Sequence, residues 1–155
     1  MTRQRGRQAG YSLIELVIVG AMISIVASFA MPSFLNYYRS AKVRAAAQTL
    51  SAILNQGRQL AIKDNLTAVA VCITTTTMQF RQPDCSGASI PVAGLTGASN
   101  NINAPDGINL TTSGNATFTK LGNAAPGATY TVTDPASGRT LSVIVAASGR
   151  IALGP

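Results

Sequence analysis

Few residues in this 155-residue chain could carry out covalent or acid–base chemistry. The sequence has no histidine, and histidine is both the usual general base at neutral pH and the commonest metal ligand. Serine and threonine are plentiful, but no histidine is present to activate them as nucleophiles. The composition therefore predicts no enzymatic activity, no cofactor and no metal site.

The five acidic residues are scattered rather than paired. Four of them stand at predicted helix ends or turns: Asp64, Asp84, Asp106 and Asp134. An aspartate at such a position caps backbone N–H groups, and we prefer this role to a calcium site. The fifth acid, Glu15, differs from the others because it stands at the entrance of a long apolar run.

The two cysteines, Cys72 and Cys85, both lie beyond that apolar run. In an oxidising compartment we expect them to form a disulfide, and a pair of free buried thiols is the alternative. Two cysteines without a histidine do not make a metal site. Closing so short a loop would stabilise the fold by about 3 kcal/mol.

From Leu16 to Tyr38 the chain has no charged residue. A run of roughly 20 apolar residues is long enough to cross a bilayer, and a helix is the form that satisfies its backbone in lipid. Three arginines precede the run: Arg3, Arg5 and Arg7. They predict that residues 1–10 stay in the cytoplasm and that the chain after the helix lies outside.

The net charge of +7 overstates how basic the exported part is. Without the three leading arginines, nine basic and five acidic residues remain, which gives +4. This balance favours a mildly basic surface over a surface dedicated to nucleic acid or anionic lipid.

The segment Gly10-Tyr11-Ser12-Leu13-Ile14-Glu15-Leu16 resembles the type III signal of type IV pilins and type II secretion pseudopilins. The resemblance implies that a prepilin peptidase cuts between Gly10 and Tyr11 and methylates the new amino terminus of Tyr11. Tyr11 replaces the commoner phenylalanine of the family. Glu15 occupies the family's fifth mature position, and Pro32 matches the helix proline at position twenty-two.

After cleavage, the amine of Tyr11 and the carboxylate of Glu15 would lie four residues apart on one helix face. A buried charge needs a partner, and that amine is the nearest cation, in the same chain or in a neighbouring one. The resemblance implies the neighbour, so that Glu15 sets the register of subunits in a filament. The alternative is a plain membrane anchor whose glutamate reaches the interface. Pro32 should loosen or bend the helix locally.

The helix continues past the membrane as an amphipathic segment that ends at Lys63-Asp64-Asn65, with the asparagine suited to a left-handed cap. We expect Gly57 to allow close approach to a sheet. The predicted core stripe is Ala46, Leu50, Ile53, Leu54, Gly57, Leu60 and Ala61. The predicted domains are a cleaved leader (1–10), a transmembrane helix (11–38), an amphipathic helix half (39–65) and a periplasmic β domain (66–155).

Strand signals follow the helix, and together they predict an α+β fold in which the helix packs on an antiparallel β domain. A hairpin pairs 68–76 with 78–81, and a long loop occupies 83–106. The turn Ser113-Gly114-Asn115 joins strands 108–112 and 116–120, and Pro135-Ala136-Ser137-Gly138 joins 129–133 to 140–146. Residues 150–153 form a last edge strand.

This order of elements narrows the resemblance to the GspH/FimT group of minor pilins and pseudopilins. It implies a structural subunit in the tip or priming complex of a type II secretion pseudopilus or a type IV pilus. The implied partners are other pilin subunits, the prepilin peptidase and the inner membrane, which the chain crosses once with its C-terminal domain in the periplasm.

The alternative function is DNA binding during natural transformation, which some FimT-like pilins perform. The candidate contacts are Arg139 and Arg150, with Arg81 and Lys120 as further candidates. The DNA-binding relatives carry two arginines close together near the C-terminus. Residues 149–152 offer only one, which counts against this function.

Overall fold

The computed structural model describes residues 11–92, 94 and 100–154. The predicted leader, including Gly10 of the cleavage junction, lies outside the described residues. The chain forms two compact units, Met1–Tyr38 and Arg39–Pro155. We call the second the globular unit.

A single helix, α1, runs from Leu13 to Lys63. It ends as predicted, because Asn65 adopts a left-handed conformation with φ of 48°. The N–H of Leu66 donates to the carbonyl of Ala61 at 3.1 Å, and the N–H of Asn65 donates to that of Ile62 at 3.3 Å. These two bonds form a Schellman motif, which satisfies carbonyls that have no partner inside the helix. The helix continues through Pro32, and a bend at this residue remains a prediction.

The second half of α1 supplies one wall of the hydrophobic core. The predicted stripe is confirmed except at Leu60, which is only partly buried against the core. Val43 and Ala47 are also buried, so the buried face is wider than the predicted stripe. Gly57 lies against the sheet as expected, since a Cβ there would lie 2.8 Å from Val71 Cγ2 and 3.0 Å from Phe80 Cε1.

The first sheet is built around a hairpin of two antiparallel strands. Its strands are β1 (Val69–Ile73), β2 (Thr77–Gln82), β3 (Ala88–Ser89), β4 (Ile102–Asn103) and β6 (Thr117–Phe118). The order is β3-β2-β1-β6, and β4 also pairs with β2. β3 joins one end of β2 through the pair Arg81–Ser89, and β4 joins the other end through Thr77–Asn103.

The second sheet has the order β5-β7-β8-β9, and all its pairs are antiparallel. Its strands are β5 (Asn109–Thr112), β7 (Ala128–Asp134), β8 (Arg139–Val145) and β9 (Ile151–Gly154). The hairpin β7–β8 follows the predicted turn, with Asp134 paired to Arg139 at its tip. β9 is an edge strand, as predicted, with Val145 of β8 opposite Ile151.

Three features differ from the sequence-based expectation. Residues 74–76, predicted as the end of the first strand, form the turn between β1 and β2, because the N–H of Thr74 donates to the carbonyl of Thr77 at 2.8 Å. The segment predicted as a long loop contains β3 and β4, whose two-residue lengths leave no pattern to detect. The turn at Ser113–Asn115 does not close a hairpin, because β5 pairs with β7 whereas β6 pairs with β1. The chain therefore crosses from the second sheet back to the first at this turn.

One hydrophobic core joins the helix and both sheets, and it includes Leu50, Phe80, Phe118 and Tyr130. Tyr130 is fully buried on β7, and its hydroxyl links the two sheets. The hydroxyl oxygen accepts from the N–H of Ala116 at 2.8 Å and donates to the carbonyl of Val71 at 3.2 Å. Burying a hydroxyl without hydrogen-bond partners is costly, and these two bonds remove that cost for Tyr130.

Candidate functional site

Glu15, the residue predicted to set subunit register, lies in the first turn of α1. The carbonyl of Ser12 accepts from the N–H of Glu15 at 3.1 Å and from that of Leu16 at 3.2 Å, so Ser12 holds the N-cap position. A carboxylate in the first turn also interacts favourably with the helix dipole. Glu15 can therefore support the start of the helix in addition to the predicted assembly role.

Tyr11, which precedes α1, lines a shallow groove together with Glu15, Leu16 and Val19 of the helix. The side chains of Tyr11 and Glu15 are both exposed, and Tyr11 is 88% exposed. The predicted pairing partners thus share a surface that a second helix could contact. The pairing of Glu15 with the Tyr11 amine remains a prediction.

Every residue from Tyr11 to Tyr38 is exposed. By length and composition, α1 could therefore cross a membrane. Exposed apolar surface of this extent is not stable in water and requires lipid or neighbouring helices to cover it.

Cys72 and Cys85 form the predicted disulfide, with their Cα atoms 5.6 Å apart. It ties β1 to the loop after β2. Asp84 caps this loop, with its Oδ1 accepting from the N–H of Ser86 at 2.8 Å and from the hydroxyl of Ser86 at 2.6 Å. These bonds lower the pKa of Asp84, as expected for a capping aspartate.

Arg81, a secondary candidate for DNA contact, is used inside the domain. Its Nη1 donates to the carbonyl of Gly87 at 2.9 Å, and its Nε donates to Gln79 Oε1 at 2.8 Å. Arg81 is half-buried and braces the disulfide loop, so it offers little free charge for a phosphate.

Arg139 and Arg150 are both exposed, but the fold does not bring them together. Arg139 begins β8, whereas Arg150 precedes β9, whose residue Ile151 pairs with Val145 at the far end of β8. The length of β8 separates the two arginines by about 20 Å at the usual rise of an antiparallel strand. They therefore do not form one compact clamp for a phosphate.

The turn before Arg150 instead contacts the turn that carries Lys120. Gly149 has a φ of 78°, and a Cβ on it would overlap the carbonyl oxygen of Gly122. The Nε of Arg58, on α1, is buried beside both glycines and has no hydrogen-bond partner among the described residues. The backbone turn before Arg150 thus lies against the turn that carries Lys120 and beside Arg58, a contact that depends on the fold and left no signal in the sequence.

No group of three or more His, Cys, Asp or Glu residues that could hold a metal ion occurs within 11–92, 94 and 100–154. Sequence reasoning missed the structural roles of three residues: Ser12 at the helix start, Arg58 beside the two glycine turns and Tyr130 between the sheets. Ser12 could have been found from its spacing to Glu15, since a serine followed three residues later by a glutamate is typical of a helix start.

Comparison with known proteins gives a family profile and two kinds of solved structure. The profile of the family described as "Type II transport protein GspH" matches residues 46–149. The type IV minor pilin FimU of Pseudomonas aeruginosa is 16% identical with a TM-score of 0.53, and the match covers 77% of this chain and 92% of FimU. None of the curated proteins compared with the chain matches its sequence significantly.

The minor pseudopilin EpsH from the Type 2 Secretion System of Vibrio cholerae is 14% identical, with a TM-score of 0.54. That match covers 73% of this chain and 96% of EpsH. At these identities the structural matches establish the fold. The profile covers most of α1's second half and all strands except β9.

Proposed function

The chain belongs to the GspH family of type II transport proteins, and from this premise we propose that it acts in the tip complex that primes a pseudopilus or pilus. It is a minor pilin or pseudopilin, a structural subunit and not an enzyme. The observation that carries the proposal is the fully exposed apolar half of α1 with Glu15 in its first turn.

In this proposal the prepilin peptidase cuts after Gly10 and methylates Tyr11. The chain then stays in the inner membrane as a single-pass protein with its globular unit in the periplasm. The three arginines before the cut support this orientation, because basic residues are retained on the cytoplasmic side. The disulfide agrees with an oxidising compartment for the globular unit.

Assembly would bury the exposed apolar surface against the helices of other subunits. Each Glu15 carboxylate would pair with the Tyr11 amine of a neighbouring subunit, which fixes the axial position of the helix. An unpaired carboxylate among packed helices is costly, so wrongly placed subunits would be disfavoured.

Glu15→Gln tests this mechanism, since it removes the charge while keeping the size of the side chain. We expect the variant to remain in the membrane fraction but to enter sheared filaments at least about tenfold less, because breaking a buried ion pair costs about 3–5 kcal/mol. Asp64→Asn is the matched control, because it removes one exposed carboxylate directly after the other end of the same helix. Equal incorporation of Glu15→Gln and wild type would exclude the register role.

Deletion of the gene distinguishes the two filament types. Loss of surface pili that is restored by complementation assigns the subunit to a type IV pilus. Unchanged pili with loss of protein secretion assign it to a type II secretion pseudopilus. If both are unchanged, a priming role is excluded.

DNA binding is the second candidate, and the contact between the turns of Lys120 and Arg150 is the observation that favours it. Arg150→Gln and Lys120→Gln should then weaken a gel shift by the full-length protein, whereas Arg139→Gln should not. Absence of any salt-sensitive shift at micromolar protein would exclude this function.

A further inference from the structure

Three cations converge at one place in the globular unit. Arg39 and Lys42 lie on α1, and Arg139 begins β8. The Nη1 of Arg139 donates to the hydroxyl of Ser40 at 2.6 Å, which holds the β7–β8 turn against this part of the helix. We call Arg39, Lys42 and Arg139 the basic cluster. Arg139 is exposed, whereas the other two are half-buried.

One carboxylate beside the basic cluster, Asp134, is buried and only 2% exposed. Its Oδ2 accepts from the hydroxyl of Ser137 at 2.5 Å, and its Oδ1 accepts from the N–H of Ala136 at 3.3 Å. The bond from Ser137 is the main cause that lowers the pKa of Asp134, and the nearby Lys42 and Arg39 lower it further. Asp134 is therefore satisfied within its own turn, and little of its surface is open to an external ligand.

One exposed acid also lies near the basic cluster. Asp106 precedes Gly107, where a Cβ would lie 2.9 Å from the Nζ of Lys42. Three cations thus face two carboxylates, of which only Asp106 is exposed, and the net charge of this surface is positive. On α1 no acid occurs between Glu15 and Asp64 to reduce that charge.

The position of the basic cluster in the chain matches a membrane surface. Arg39 follows Glu15 by 24 residues, which is about 36 Å along an α-helix, and the hydrocarbon core of a bilayer is about 30 Å thick. Tyr37 and Tyr38 directly precede Arg39, and both are more than half exposed. Tyrosines followed by cations are typical of the level of the lipid headgroups.

Taking the membrane anchoring of the proposed function as given, we propose that the basic cluster docks onto the phosphate groups of anionic lipids. Arginine presents a planar fork of donors that matches a phosphate, and lysine adds a compact charge. The β7–β8 turn of an unassembled subunit would then lie at the headgroup surface. Entry into a filament would lift the basic cluster off the membrane and break these contacts.

The test uses the full-length protein in nanodiscs, with a fluorophore on the exposed position Ala136→Cys. Cys72 and Cys85 do not react while they are oxidised. Quenching by a nitroxide on the lipid headgroup reports how near the turn lies to the membrane. We expect quenching to be at least about twofold stronger when a third of the phosphatidylcholine is replaced by phosphatidylglycerol, and the gain to vanish at roughly 1 M salt.

Three further substitutions, each made in the labelled protein, separate docking from a general effect of charge. Arg139→Gln should lose most of the gain, and Arg139→Lys should retain most of it. Arg150→Gln is the matched control, because it removes an exposed arginine from the opposite end of β8. An equal loss in Arg139→Gln and Arg150→Gln would overturn the proposal, as would equal quenching in the two lipid mixtures.

Three remaining outcomes are also decisive. If inorganic phosphate competes away the gain at concentrations where chloride of equal ionic strength does not, the basic cluster is a general anion site and lipid docking is overturned. If the protein does not co-elute with the nanodiscs, its membrane anchoring fails and the proposed function fails with it. Insertion into the nanodiscs without a lipid effect overturns the docking alone.

Discussion

Tyr130 shows how one side chain can hold two sheets in register. Its ring lies in the shared core, and its hydroxyl bonds to backbone groups at Ala116 and Val71. The N–H of Ala116 and the carbonyl of Val71 would otherwise be buried with one partner fewer. The sequence contains the residue but not this role, because the two contacts lie 14 and 59 positions away.

Tyr130→Phe should therefore destabilise the globular unit although it keeps the ring. We expect the free energy of unfolding to fall by about 1–3 kcal/mol, because a buried donor loses its acceptor. Urea unfolding of the full-length protein in non-ionic detergent measures this change. A variant as stable as wild type would show that the hydroxyl does not link the sheets.

The same pair of proteins gives a pH test. Burial raises the pKa of Tyr130 to about 12, whereas tyrosine in the unfolded chain has a pKa of about 10. The unfolded state therefore loses its proton first, so the contribution of Tyr130 is fully present below pH 10 and is lost as the pH rises toward 12. The stability advantage of wild type over Tyr130→Phe should shrink across this range, and an advantage independent of pH would contradict the burial argument.

At the scale of elements, the helix was the most predictable part of the fold. Its end at Lys63 followed from local chemistry, since Asn65 accepts the left-handed conformation that the cap requires. The core stripe was predicted from the helical spacing of its apolar residues, which can be read directly from the sequence. These features depend on residues within a few positions of each other.

The strands were predicted less well, because their pairing depends on distant residues. The hairpin at 128–145 was expected from its turn, and the hairpin at 69–82 from its β-branched residues, although residues 74–76 form its turn and do not belong to its first strand. The short β3 and β4 exist only because the edge of β2 is available to pair with them. The separation of Arg139 from Arg150 likewise follows from the pairing of β8 with β9, so the sequence alone could not group the arginines correctly.

The contact between α1 and the first sheet sets a limit on side-chain size at Gly57. Gly57→Leu would place atoms where Val71 and Phe80 already pack. Overpacking of this kind lowers the free energy of unfolding by up to about 3 kcal/mol. We expect the urea midpoint of the globular unit to fall accordingly. Ala52→Leu, at an exposed position of the same helix, is the matched control and should be near neutral. Similar midpoints for the two variants would mean that the contact between the helix and the sheet can shift to admit the larger side chain at no cost in stability.

At the scale of the whole molecule, composition and packing divide the chain at different places. Composition changes at residue 66, where helical spacing gives way to strands. Packing changes at residue 39, where the globular unit begins. The difference is the second half of α1, whose buried residues, Leu50 and Leu54 among them, belong to the core of the sheets.

This difference leads to a prediction about two soluble fragments. The fragment 39–155 keeps every buried residue of α1 and should fold, whereas the fragment 66–155 should not. Full burial of one large aliphatic side chain contributes about 1.5–3 kcal/mol, and the shorter fragment loses four of them: Val43, Leu50, Ile53 and Leu54. The summed loss of about 6–12 kcal/mol is comparable to the total stability of about 5–15 kcal/mol that domains usually have.

Resistance to protease and dispersed amide signals in nuclear magnetic resonance distinguish the two cases. Both fragments contain Cys72 and Cys85, so the disulfide cannot account for a difference between them. A cooperative unfolding transition in 66–155 would mean that the sheets form a core without the helix. We expect that transition only in 39–155, because the inner faces of β1 and β2 would otherwise expose Val71 and Phe80 to water.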